Sequence, residues 1–155
     1  MLNQFLNEKI KCYCNANIFT VISGSFRKHL KYIVKLKEEL INNGIAVLSP
    51  SGKAAVNPDK EFIVLDSDPI NHPKTLQDSV FAKIRRSTFL VVANFDGYLG
   101  NAVIMEMGYA IALGIQIYTI EKIEDPNLAP YCKLLSEVYS NIEISNQNLN
   151  EMAKQ

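Results

Sequence analysis

One ionisable carboxylate stands in a long apolar run, Val103-Ile104-Met105-Glu106-Met107-Gly108-Tyr109-Ala110-Ile111-Ala112-Leu113. The run and its stop at Gly114 predict a helix from Asn101 to Leu113, apolar nearly all round and so buried on most sides. A carboxylate placed there is costly unless it has a partner or a task, which makes Glu106 the leading candidate for chemistry. The plainer alternative is a glutamate reaching solvent from the second turn, favoured by the helix dipole. The loop ahead of it adds Asp96, Gly100 and Asn101 as candidate ligand contacts.

Ser23-Gly24-Ser25-Phe26-Arg27 suggests a different chemistry, the holding of an anion. A glycine allows the backbone to approach a ligand, a following helix presents free amides at its positive end, and Ser25 and Arg27 add donors. The segment is neither a P-loop nor a dinucleotide fingerprint. It also suits an ordinary strand-to-helix turn with a serine cap. Asp78, between Leu76 and Val80, is a second candidate carboxylate, although its position alone suits a solvated surface. Lys53, in a loop, is a weaker candidate.

The elements that position these residues alternate. Asn17 to Ser23 is a short β-branched run, followed by a helix over Arg27 to Asn43 with a stripe of Leu30, Ile33, Val34, Leu40 and Ile41. Gly44 ends that helix. Ile45 to Leu48 is a strand, and a Ser, Gly and Pro-rich loop follows. Phe62 to Leu65 is either a short strand or a loop segment folded over a pocket. A second helix begins at Pro73, with Leu76, Val80, Phe81 and Ile84 inward and Lys83, Arg85 and Arg86 outward. Thr88 to Ala93 is continuously apolar, as a central strand covered on both faces should be. After the Glu106 helix come a strand at Ile115 to Ile120, a helix at Ala129 to Val138 and an edge strand at Tyr139 to Ile144. This alternation predicts an α/β three-layer sandwich around a five-stranded parallel sheet, flavodoxin- or Rossmann-like in order. The 155 residues read as a single domain, with residues 1–16 as an N-terminal extension and 145–155 as a frayed tail.

Composition narrows the partners. Lysine plus arginine and aspartate plus glutamate balance at 16 each, which argues against a binder of nucleic-acid polymers. No apolar run is long enough to span a membrane and no signal peptide is recognisable, so a cytoplasmic protein is expected. Cys12, Cys14 and Cys132 are expected to be reduced and without a catalytic role. Only His29 and His72 are available to complete a zinc site, so no metal and no cofactor are expected.

Taken together, the strand leading to Ser23-Gly24-Ser25-Phe26-Arg27, the acidic Asp78 and the run Glu106-Met107-Gly108-Tyr109-Ala110 before Gly114 resemble the nucleoside 2-deoxyribosyltransferase superfamily over roughly residues 18–120. The resemblance implies a nucleoside or nucleoside 5′-monophosphate as the small-molecule partner. It also implies cleavage or transfer of the N-glycosidic bond, with Glu106 as nucleophile at C1′ and Asp78 handling the leaving base. The G-S-x-R form of the first loop is more typical of the superfamily's 5′-monophosphate hydrolases, where it holds the phosphate. Completion of the pocket across a subunit contact implies a homodimer or larger assembly. The stretch between Asp96 and Met105 is longer than the family's, which implies a reshaped base pocket. A lysine-decarboxylase-like phosphoribohydrolase is a further alternative, but its P-G-G-x-G-T-x-x-E motif is absent. So is a nucleotide-sensing module without turnover.

Overall fold

The computed structural model describes residues 18–142. The expected N-terminal extension and frayed tail, with Cys12 and Cys14, lie outside the described residues. Five strands, β1 (Phe19–Gly24), β2 (Ala46–Ser49), β3 (Phe89–Ala93), β4 (Gln116–Thr119) and β5 (Cys132–Leu134), form one parallel sheet in the order β2-β1-β3-β4-β5. Four α-helices accompany them: α1 (Phe26–Asn42), α2 (Pro73–Arg85), α3 (Asn101–Ala112) and the one-turn α4 (Leu135–Val138). This is the α/β three-layer fold expected from the alternation. No helix among the described residues is long and apolar enough to cross a membrane.

Strand periodicity divides the core into two layers. Ile22, Phe89, Val91 and Ala93 meet Ile33, Leu36 and Leu40 of α1 and Leu135 of α4. Their neighbours Val21, Leu90 and Val92 point the other way, onto Ile84 of α2 and Val103, Met107 and Ala110 of α3. β3 is buried along its whole length, as a central strand with helices on both faces must be. The buried stripe of α1 runs through His29, Ile33, Leu36 and Leu40; of the expected stripe, Ile33 and Leu40 are buried and Leu30, Val34 and Ile41 half-buried. Helices α1 and α3 end alike. Gly44 and Gly114 have φ of 78° and 70°, a conformation that costs glycine little. The following amides, of Ile45 and Ile115, reach back to Leu40 and Ala110 at 3.1 and 2.9 Å and close each helix in a Schellman motif.

Three further expectations change. The helix placed at Ala129–Val138 is a 3₁₀ turn (Ala129–Tyr131), then β5, then α4. Pro130 removes a helical donor, and Cys132-Lys133-Leu134 then pairs with Ile117, Tyr118 and Thr119 as the edge strand. The described part of the expected Tyr139–Ile144 strand, residues 139–142, is a turn. Helix α3 is also less covered than its sequence suggested. Val103, Glu106, Met107 and Ala110 are buried, but Ile104, Met105 and Leu113 are exposed.

β3 leads into α3 through a clamp. Asn94, fully buried, donates from Nδ2 to the Glu121 carbonyl at 2.9 Å and accepts from the Ile120 and Glu121 amides at 3.0 and 2.9 Å. The Glu121 carboxylate in turn accepts from the Asp96 and Gly97 amides. The β3–α3 loop is thereby tied to the end of β4. Asn94→Ala leaves three half-buried backbone groups without these bonds, the Ile120 amide keeping only its contact to the Val92 carbonyl, and a stability loss of about 1–3 kcal/mol is expected in urea denaturation. A loss below about 0.5 kcal/mol would show that solvent replaces the side chain.

Candidate active site

The strand order reverses between β1 and β3, since the chain leaves β1 toward β2 and returns to β3 on its other side. In such sheets the loops after the two central strands diverge and leave a crevice at their carboxyl ends. Both chemical segments of the sequence lie there. A cavity of about 530 Å³ opens between them, within the usual size range for small-molecule sites. Ser23 to Arg27 form one part of its wall, Tyr98 to Val103 with Glu106 another, and α2 with the β2–α2 loop the rest.

Glu106 lies on the second turn of α3 with only 7% of its surface exposed. It does not reach solvent. Its Oε2 accepts a hydrogen bond from Ser23 Oγ at the end of β1, and its Oε1 accepts one from Gln77 Nε2 on α2 at 2.9 Å. Burial pushes the carboxyl above its ordinary range, and the two donors oppose that rise.

The first loop is built as a helix entry. Ser25 caps α1, accepting from the Lys28 amide, and Arg27 lies in the first turn and lines the cavity. Arg27 has no ion-pair partner among the described residues. Free amides, the dipole end and this guanidinium make the segment competent to hold an anion. Gly24 lines the cavity too, but packing is the stronger reason for its glycine. A Cβ there would lie 2.9 Å from Ile33 Cδ1 and 3.0 Å from Ala93 Cβ, so any side chain would force Ile33 to move and crowd the crossing of α1 over the β1–β3 pair.

Three sequence candidates fall outside the cleft. Asp78 pairs with Lys74 at 2.6 Å, one helical turn back, and its side chain is 56% exposed beside a shallow groove bordered by Phe81, Arg85 and Tyr109. The face of α2 that meets the core passes through Gln77, Val80 and Ile84, and one further residue turns Asp78 about 100° away. Asp96 has a φ of 56° and an exposed carboxylate 3.9 Å from His29 Nε2, while the Asn94 clamp carries the chain past it. Lys53 lies on the surface, 3.7 Å from Glu38. Gly100 and Asn101 do line the cavity, as the cap and first residue of α3. Lys83, expected to face outward, is half-buried and lines it as well.

Gln77 is the contact that a search for ionisable groups passes over, although its i, i+3, i+7 spacing with Val80 and Ile84 marks the inward face. Asp68 is another. It is half-buried in the cavity wall, and its Oδ2 accepts from the Leu65 amide at 2.7 Å. The segment Phe62 to Leu65 forms no strand of the sheet; an isolated bridge between Leu65 and Ala55 folds it against the cavity.

Fold and site together define a doubly wound α/β protein with a buried glutamate and an anion-competent helix entry in its switch-point crevice. No protein-family model and no curated protein matches the sequence. Among solved structures, a conserved protein from Enterococcus faecalis V583 is similar at 20% identity and a TM-score of 0.50, over 66% of this chain. The chain covers 62% of that protein's length. The CMP N-glycosidase BcmB of Clostridium botulinum is similar at 13% identity and a TM-score of 0.50, over 86% of this chain and 98% of its own. These likenesses establish the fold.

A carboxyl held above its ordinary range keeps its proton in the folded state at pH values where the unfolded chain has lost it. Stability contributed at this position therefore falls as pH rises from the ordinary carboxylate range through the folded-state value. Glu106→Gln removes the titration. The stability difference between variant and parent is expected to shift in the variant's favour as pH rises from about 4 toward neutrality, read by melting across that range. A difference independent of pH would contradict the raised carboxyl.

Proposed function

We propose that this chain is a single-domain cytoplasmic enzyme that cleaves or transfers the N-glycosidic bond of a nucleoside or nucleoside 5′-monophosphate. The observation that carries the reading is the buried Glu106 carboxylate, supplied with a donor on each oxygen and facing a cavity whose opposite wall offers Arg27 and the amino end of α1. The sequence resemblance and the fold shared with a CMP N-glycosidase point the same way.

In this reading a 5′-phosphate lies at the entry of α1, against Arg27 and Ser25, which places the sugar over Glu106. A Glu106 oxygen attacks C1′ through an oxocarbenium-like transition state, the C1′–N bond breaks, and its electron pair leaves with the base. The base takes a proton as it departs. Asp78, paired with Lys74 on the outer face of α2, does not line the cavity. Of the two carboxylates in the cavity wall besides Glu106, Glu61 is exposed, whereas Asp68 is half-buried and fixed by the Leu65 amide; Asp68 is assigned the acid role. Water, or a second base, then attacks C1′ of the glycosyl ester, gives its proton to the Asp68 carboxylate and returns Glu106 as carboxylate. The first acceptor makes a hydrolase and the second a transferase.

Glu106→Ala is expected to abolish base release from nucleosides and 5′-monophosphates while changing ligand binding and melting temperature little. Arg27→Ala should weaken binding of a monophosphate about ten- to hundredfold and spare the matching nucleoside. Chromatography of free base, with and without an acceptor base, reads the reaction. Parent-like turnover in Glu106→Ala would remove the nucleophile, and equal loss for both ligands in Arg27→Ala would remove the phosphate contact.

We also propose a homodimer or larger assembly. The outer face of α3 presents Ile104, Met105 and Leu113 to solvent, with the small Gly108 and Ala112 beside them, next to the cavity wall at Asn101 and Ala102. A second copy covering that face would bury the patch. Light scattering is expected to give a multiple of 17.4 kDa for the parent and a single-chain mass for Met105→Lys. A monomeric parent at micromolar concentration contradicts this.

A further inference from the structure

The proposed reaction leaves one cleft contact without a role. Gln77 Nε2 donates to Glu106 Oε1 at 2.9 Å, while Ser23 serves Oε2. The amide stands on the inner face of α2, half-buried in the cavity wall, and makes no other hydrogen bond among the described residues. Its polarity matters. Turned the other way, the amide would set its carbonyl oxygen against a carboxylate oxygen, an arrangement that is stable only when Glu106 carries a proton. The Ser23 hydroxyl can donate or accept, whereas the amide N–H can only donate, so Gln77 is the contact that favours the ionised form whichever way Ser23 turns. The two contacts also hold the plane of the carboxylate, since each oxygen is tied to a different element.

We propose that Gln77 is a positioning residue whose amide fixes the Glu106 carboxylate in the orientation and ionised form that attack on carbon requires. This catalytic meaning rests on the proposed nucleophile; the hydrogen bond and its effect on ionisation do not. A neutral amide is what the place demands. A carboxylate at position 77 would put a second negative charge within hydrogen-bond distance, and such a pair holds one proton between its members. Other charged or titratable groups in the cavity wall are Arg27 from α1, Glu61 and Asp68 from the β2–α2 loop, Lys83 from α2 and Tyr98 from the β3–α3 loop. None is hydrogen-bonded to Glu106 among the described residues, so substitution at 77 changes its donor set and leaves theirs alone.

The test follows the carboxyl directly by carbon NMR of protein labelled at the glutamate carboxyl, with Glu106→Gln used to assign the resonance. Gln77→Met keeps the volume and removes the donor. The Glu106 midpoint should rise by about one pH unit or more, a tenfold change in proton affinity. Gln77→Glu keeps the shape and adds the like charge, and should raise it further. Melting temperatures of both variants should stay near the parent's at acid pH, where Glu106 is protonated, and fall below it as pH rises through the raised midpoint. With cytidine 5′-monophosphate as probe, Gln77→Met should lower kcat, leave KM nearly unchanged and move the acid limb of the rate profile upward with the NMR midpoint. An unmoved midpoint in both variants overturns the inference, whether or not base is released. A moved midpoint in a protein that releases no base supports the inference and removes the glycosidase reading instead.

Discussion

A carboxylate carried into an apolar interior loses hydration worth several kcal/mol even after the protein relaxes, and only donors already in place offset the loss. Glu106 imposes this requirement on the whole cleft. Its helix supplies none of the donors, because every residue of α3 near it is apolar. They come from the end of β1 and from α2, so a strand, the neighbouring helix on the same face of the sheet and α3 itself must converge within hydrogen-bond distance of one side chain. Val21, Leu90, Val92, Ile84, Val103 and Met107 make that convergence rigid, for they pack the same three elements together beneath the carboxylate. The apolar layer and the polar contact are two consequences of one arrangement.

The sheet order explains why the cleft lies where it does. With β1 and β3 adjacent and their following helices on opposite faces, the strand ends are left open between α1 and α3. Two local devices set the edges of the opening. Gly24 lets α1 approach the sheet so closely that Ile33 and Ala93 fill the space a side chain would take, which brings the amino end of α1 to the cavity. On the other side Asn94 replaces the next β-ladder bonds with its own side chain, and the chain turns out of the sheet toward Gly100 and α3.

Much of this was legible in the sequence because burial imposes simple patterns. A strand apolar at every position had to be central, and β3 is. A lone glutamate in an apolar helix had to have partners, and Ser23, already singled out for another reason, is one of them. Failures came where the pattern carried less information. Asp78 drew attention by its charge, yet one residue along a helix is 100° of rotation, and the inward place belongs to the uncharged Gln77. Residues 129–138 have helix-like length, but Pro130 breaks the run and a three-residue parallel edge strand is too short to show a period. The covering of α3 was overestimated because composition cannot tell a face packed on the sheet from an apolar face left outside it.

In the proposed reaction both ends of the cavity hold negative charge, and the two charges constrain one another. A phosphate held at the amino end of α1 brings negative charge into the space that already contains Glu106, and each charge favours protonation of the other. Arg27 and the α1 dipole offset the phosphate where it sits, so less of its field reaches α3. What remains must be countered at the carboxylate itself, and Ser23 and Gln77 are the groups in contact with it. Ser23 belongs to both ends. It closes β1 just before the helix entry and donates to Glu106, so a ligand drawn in by the amides of α1 arrives beside the strand residue that orients the carboxylate. The same one-residue step, from Ser23 to Gly24, thus separates the donor to the carboxylate from the start of the anion site.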